Sequence, residues 1–139
     1  MRILICGDRN WNDYPMIKSL VDSLPSIPQP VLIEGEAKGA DKMSAKAFEE
    51  RGWKNHILRF AAEWDKHGRA AGPIRNREQF KEGKPDMVIA YHNDIRSSKG
   101  TKDMATVSIK AGTPTYLNVK DIEDIILGLI NPLTLEDLK

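Results

Sequence analysis

The chain carries a single cysteine, Cys6. One thiol makes neither an internal disulfide nor a cysteine-based zinc centre. The three histidines, His56, His67 and His92, stand too far apart for metal-ligand spacing, so neither a metal nor another cofactor is expected. Aromatic residues make up only 6% of the sequence, few for the stacking platforms on which single-strand binders rely. No apolar run approaches the roughly 20 residues of a membrane-spanning helix. The apolar opening from Arg2 to Cys6 turns polar at Gly7-Asp8-Arg9, too early for a secretory signal. These absences point to a cytoplasmic protein with no membrane partner.

Three site motifs are also missing. There is no G-x-x-x-x-G-K-[ST] phosphate loop, no G-x-G-x-x-G after the first apolar run, and no G-x-S-x-G nucleophile elbow. Ordinary dinucleotide binding and serine-hydrolase chemistry are therefore disfavoured.

What is present is ordinary globular material, 40% apolar and 29% charged over 139 residues, the size of one domain with a real core. Net charge is +1, but it is unevenly spread. Residues 51–84 hold nine Lys/Arg against four Asp/Glu. A solvated face or a local phosphate site explains such a segment better than a whole-protein nucleic-acid coat.

Short apolar runs alternate with amphipathic stretches along the whole chain. Strands are expected at Arg2–Cys6, Val31–Glu34, Asn55–Phe60, Asp86–Tyr91 and Pro114–Asn118, each bounded by turn residues. Asp13 is placed to cap a helix with Pro15 in its first turn, and Met16, Ile17, Leu20, Val21 and Leu24 share one face. A second helix follows Asp41 and stops at Gly52. A third runs from about Asn76 to Glu82, with residues 61–76 read as a long loop. Thr101 is the expected cap of a fourth, and Ile122, Ile125, Ile126, Leu129 and Ile130 mark a fifth. Asn131–Lys139 reads as a tail that packs on a partner or frays. The alternation implies a Rossmann-like α/β three-layer sandwich. Its sheet of about five strands is mostly parallel, with helices on both faces, in a single domain spanning residues 1–139.

Ligands in such sheets bind beyond the carboxyl ends of the strands. Four polar, glycine-bearing loops fall there: Gly7–Trp11, Gly35–Asp41, Ala61–Asn76 and His92–Thr101. Glycine lets backbone N–H groups approach a ligand, and a helix N-terminus favours an anion. A nucleotide phosphate could be held by the N–H groups of Gly100 and Thr101 with Arg75 or Arg77. Ribose hydroxyls could be met by Glu36, Asp41 or Asp103. A base could stack on Trp11 or Trp64.

Four motifs occur in order: G-D-R-x-W at Gly7–Trp11, E-G-E-A-K-G-A-D at Glu34–Asp41, G-R-A-A-G-P-I-R-N-R at Gly68–Arg77, and K-G-T at Lys99–Thr101. Together they resemble the SLOG superfamily, most closely its YspA-type branch of small stand-alone proteins, some of them phage-encoded. The resemblance covers roughly residues 2–117. It implies a Rossmann-like fold, a homo-oligomer, and binding of a nucleotide or nucleotide-derived signal, as sensor or sequestering protein. The residues it puts at the rim are Gly7, Asp8, Arg9, Trp11, Gly35, Glu36, Lys38, Gly39, Asp41, Arg69, Asn76, Arg77, Gly100 and Thr101.

Two relatives supply rival functions. The Lonely Guy phosphoribohydrolases cleave the N-glycosidic bond of nucleoside monophosphates. Arg75 matches their catalytic arginine, and Gly100-Thr101 matches their Gly-Thr. Asp103 stands where they have a catalytic glutamate. The chain departs from them at Asn76, which replaces a lysine, and at the missing Pro-Gly-Gly. The DNA-processing protein A family has similar R-N-R signatures and binds single-stranded DNA. Nucleic acid is thus the third candidate partner, disfavoured by the near-neutral charge and scarce aromatics.

Overall fold

The computed structural model describes every residue from Met1 to Lys139. Five parallel strands, β1 (Arg2–Gly7), β2 (Val31–Glu34), β3 (Ile57–Arg59), β4 (Met87–Tyr91) and β5 (Thr115–Leu117), form one sheet in the order β3-β2-β1-β4-β5. Strand order reverses between β1 and β4, which pair from Ile3↔Met87 to Gly7↔Tyr91. The architecture is the α/β, Rossmann-like one implied by the sequence.

Period-two alternation along β1 explains the two cores. Ile3 and Ile5 point into one cluster with Leu20, Phe48 and Tyr91, beneath α1 (Tyr14–Ser23) and α2 (Ala40–Glu50). Leu4 and Cys6 point into the other with Ile33, Val88 and Met104, beneath α4 (Ala71–Gly83) and α5 (Gly100–Lys110). Each fully buried aliphatic side chain contributes roughly 1.5–3 kcal/mol, so the central strands anchor both layers. Asp13 caps α1, its Oδ1 accepting from Met16 N at 3.1 Å.

Several elements differ from the sequence expectation. Residues 61–76 are not an open loop. Trp64–His67 forms a short helix, α3, Gly68–Ala70 a 3-10 turn, and α4 begins at Ala71. Pro73 sits in the first turn of α4, where its missing N–H has no intrahelical acceptor to lose. Gly83 lies inside α4 rather than beyond it. A Cβ there would come within 2.9 Å of Ile33 Cδ1, and Lys84 takes the left-handed position instead, at φ +50°. Thr101 does not cap α5; Ser98 Oγ accepts from Thr101 N at 3.0 Å and from Lys102 N at 3.3 Å.

The last helix, α6, covers only Ile122–Ile126. Gly128 turns the chain at φ +69°, leaving Ile126 and Leu129 exposed. Residues 131–139 pack on their own chain. Leu133 N donates to Thr115 O at 2.7 Å, and Leu138 is buried against the α5 side of the sheet. No helix is long and apolar enough to cross a membrane.

Candidate functional site

The chain reversal between β1 and β4 leaves a crevice at their carboxyl ends. Ligands in open α/β sheets bind at such a switch point. A cleft of about 660 Å³ opens at this point. Its floor is Cys6 and Gly7, and its walls come from the β1 loop, the first turns of α4 and α5, and α3.

The two loops nearest the floor are tied together through backbone. Asp8 N donates to Tyr91 O at 2.9 Å, and Asp8 O accepts from Ala40 N at 3.2 Å, at the start of α2. That approach requires glycine twice. A Cβ on Gly7 would lie 2.8 Å from Ala40 Cβ. Gly39 has φ +74° and lies directly on the carbonyls of Asp8 and Arg9, a conformation and a proximity that only glycine tolerates.

Beneath the Gly35–Asp41 loop lie two carboxylates, Glu34 and Asp41, only 1% and 5% exposed. Asp41 Oδ2 accepts from Gly35 N at 3.0 Å and Ala37 N at 3.3 Å, and Glu34 Oε1 accepts from Glu36 N at 2.6 Å. Burial pushes Asp41 up to about 6, against the opposing pull of Arg75, the two backbone N–H groups and Arg9. Burial, and then the charge of Asp41, push Glu34 up to about 7. Arg75 crosses over this loop, donating from Nη1 to Gly35 O at 2.7 Å and from Nε to Asn76 Oδ1 at 3.2 Å. The buried Cys6 thiol is held protonated by burial.

The cleft wall carries four cations, Arg9, Arg69, Arg75 and Lys99. None of them forms a salt bridge. Only two carboxylates line the same wall, Asp8 and Asp41. Asp8 Oδ1 is already occupied by Asn10 N at 2.9 Å. Asp41 partly offsets Arg75 and Arg9, and the site is a concavity with four cations set against two carboxylates.

Of the residues expected at the rim, Gly7, Asp8, Arg9, Asp41, Arg69, Arg75, Asn76, Gly100 and Thr101 line the cleft. Gly35 lies beneath Arg75, and Glu36 and Lys38 are exposed outside the cleft. Trp11 is in the core, 5.6 Å from the Tyr91 ring, with its Nε1 donating to Asp13 O. Arg77 and Asp103 also stand outside. Arg77 Nη1 donates to Asp103 Oδ2 at 3.2 Å, and Asn76 Nδ2 donates to the same oxygen at 2.9 Å. Asp103 therefore ties α5 to α4, and Arg75 and Asp103 do not face a common space.

The N–H groups of Thr101 and Lys102 are taken by Ser98 Oγ, which leaves this helix end less free to bind an anion than its Gly-Thr suggested. The sequence reading passed over Lys99 and Gln79 as cleft residues. It also missed the buried Glu34, whose one signal is an acid ending the apolar run of β2.

The fold and the cleft define a Rossmann-like protein with a cationic crevice at the switch point of its sheet. A family model described as "YspA, cpYpsA-related SLOG family" matches residues 1–67. The Gene 61 protein of Mycobacterium phage D29 is 32% identical over 118 residues, covering 81% of this chain and 92% of that protein. The chain belongs to the YspA, cpYpsA-related SLOG family.

Among solved structures, DNA processing protein A from Streptococcus pneumoniae superposes at a TM-score of 0.68 and 14% identity. That match covers 99% of this chain and 60% of the other, so the chain spans somewhat less than two thirds of that protein. DNA processing protein A from Helicobacter pylori, which binds single-stranded DNA, superposes at 0.65 and 15% identity, over 99% and 77% of the two chains. At these identities the two matches speak for the fold.

Proposed function

We propose that the protein binds a small nucleotide-type phosphate ester in the cleft at the β1–β4 switch point. The observation that carries this reading is the set of four cations, Arg9, Arg69, Arg75 and Lys99, around one concavity with no salt bridge among them. Arg9, Arg69 and Lys99 are exposed at the cleft and Arg75 is half-buried. Four cations against two carboxylates leave an excess of positive charge that an anionic ligand offsets through charge-assisted hydrogen bonds. The volume, about 660 Å³, is that of a small-molecule pocket.

Binding without turnover is favoured over N-glycosidic cleavage. A hydrolase needs a carboxylate at the sugar carbon. Asp103, which matches the hydrolases' glutamate, is spent on Asn76 and Arg77 outside the cleft. Of the two carboxylates that line it, Asp41 holds the N–H groups of Gly35 and Ala37, and Asp8 that of Asn10. A second reading, binding of single-stranded nucleic acid, draws support from the likeness to DNA processing protein A.

The test is titration calorimetry with pyrophosphate and the common nucleoside 5′-monophosphates, on the wild type and on Arg69→Gln and Lys99→Gln. Both side chains are exposed and make no ion pair, so the variants fold. Each lost charge-assisted hydrogen bond should weaken phosphate-ester binding by about tenfold. Absence of binding by every phosphorylated compound, or full affinity in both variants, overturns the reading.

A further inference from the structure

The chain has three tryptophans, and two of them belong to the core. Trp11 is 6% exposed and Trp53 is 4% exposed. Trp64 is 47% exposed and stands on the wall of the cleft. It opens α3, the four-residue helix that the sequence disguised as loop. Its indole leans over the first turn of α4, where Gly72 carries no side chain; a Cβ there would be 3.5 Å from Trp64 Cη2.

One cation lies over the ring. The Arg9 guanidinium, from the loop after β1, lies 5.2 Å from the ring centroid. Arg9 makes no salt bridge. An exposed cation–π contact of this kind is weak enough for an incoming ligand to displace. A guanidinium is planar and stacks on an aromatic face much as a nucleobase does.

We propose that Trp64 is the stacking platform for the aromatic base of the ligand. Arg9 covers it in the free protein, and leaves the ring for the ligand's phosphate on binding. The exchange trades a weak cation–π contact for a base stack and a charge-assisted hydrogen bond. It makes Trp64 the residue that distinguishes a nucleotide from a bare phosphate or a sugar phosphate, while Arg9 serves the phosphate that all three share. This rests on the cleft being a phosphate-ester site, and deepens that reading by requiring the base.

The experiment compares the four common ribonucleoside 5′-monophosphates with ribose 5-phosphate, which has the same phosphate and sugar and no base. Binding is followed by calorimetry and by tryptophan emission in the wild type, Trp64→Leu, Trp64→Phe and Arg9→Gln. In the wild type at least one nucleotide should bind roughly fivefold to a hundredfold more tightly than ribose 5-phosphate, the range of one base–aromatic stack. It should also change the emission, an effect absent from Trp64→Phe.

The preference should fall to near unity in Trp64→Leu and be largely kept in Trp64→Phe. Arg9→Gln should alter the emission of the free protein and weaken phosphate-ester binding. Equal affinity for nucleotides and ribose 5-phosphate, or a preference that survives Trp64→Leu, overturns the platform while leaving the phosphate site standing. No binding of either class overturns both.

Discussion

Glu34 and Asp41 are the costliest residues of the site. Both are buried, and the charge of Asp41 raises the energy of Glu34's charged form. Asp41 is offset by two backbone N–H groups and by the fields of Arg75 and Arg9; Glu34 has one backbone N–H and Arg59. In the folded state Glu34 is pushed up to about 7 from an ordinary 4.5, and Asp41 up to about 6 from 3.8. A folded-state value above the unfolded one means that the folded protein holds more protons. The contribution of these groups to stability is therefore complete below about pH 4 and is lost as pH rises to about 7. Glu34→Gln keeps an oxygen for Glu36 N and removes the charge. It should raise stability at pH 8 by roughly 1–2 kcal/mol and flatten the decline between pH 5 and 7. Urea melts at pH 5 and pH 8 read both effects, and an unchanged decline would place the titrating groups elsewhere.

At the scale of elements, the strands were the most legible part of the chain. An apolar run bounded by turn residues fits a strand of a covered sheet, and all five strands appear at such runs. β3, an exposed edge strand, shortens from Asn55–Phe60 to Ile57–Arg59 behind a 3-10 turn at Lys54–His56. Helix starts were less legible, because caps act through geometry rather than composition. Thr101 and Ser98 are equally good capping types in sequence. Only the backbone path decides that Ser98 Oγ faces the free N–H groups of α5. Ser98→Ala should accordingly cost about 1 kcal/mol, a fall in melting temperature of roughly 3–4 °C. Thr101→Val, read by the same thermal melt, should leave the cap intact. The onset of α4 was hidden for a related reason. Gly72 and Pro73 look like breakers, yet in a first turn the proline has no bond to lose. Trp11 and Trp64 were indistinguishable for the same want of geometry. Each adjoins a polar loop beyond a strand, and the fold turns one toward the Tyr91 ring and the other into the cleft.

Across the whole molecule the basic segment of residues 51–84 is dispersed. Arg51 caps carbonyls of Val21 and Asp22, Arg59 pairs with Glu49, Lys66 with Glu63, and Arg77 with Asp103. Of this segment only Arg69 and Arg75 reach the cleft, joined there by Arg9 and Lys99 from distant loops. A run of charge along the sequence has thus become a small cationic pocket, not a continuous track. That difference is measurable. Binding of a single strand falls with salt at a log–log slope of about −0.7 for each phosphate neutralised. Four unpaired cations allow a slope no steeper than about −3, whereas a groove engaging six to ten phosphates would give roughly −4 to −7. A short oligothymidylate should therefore bind weakly at physiological salt, with the shallow slope, and its affinity should not grow as the strand is lengthened. Fluorescence anisotropy across a salt series decides the matter. A steep slope with affinity rising with length would make a single strand the ligand of this cleft and displace the small nucleotide.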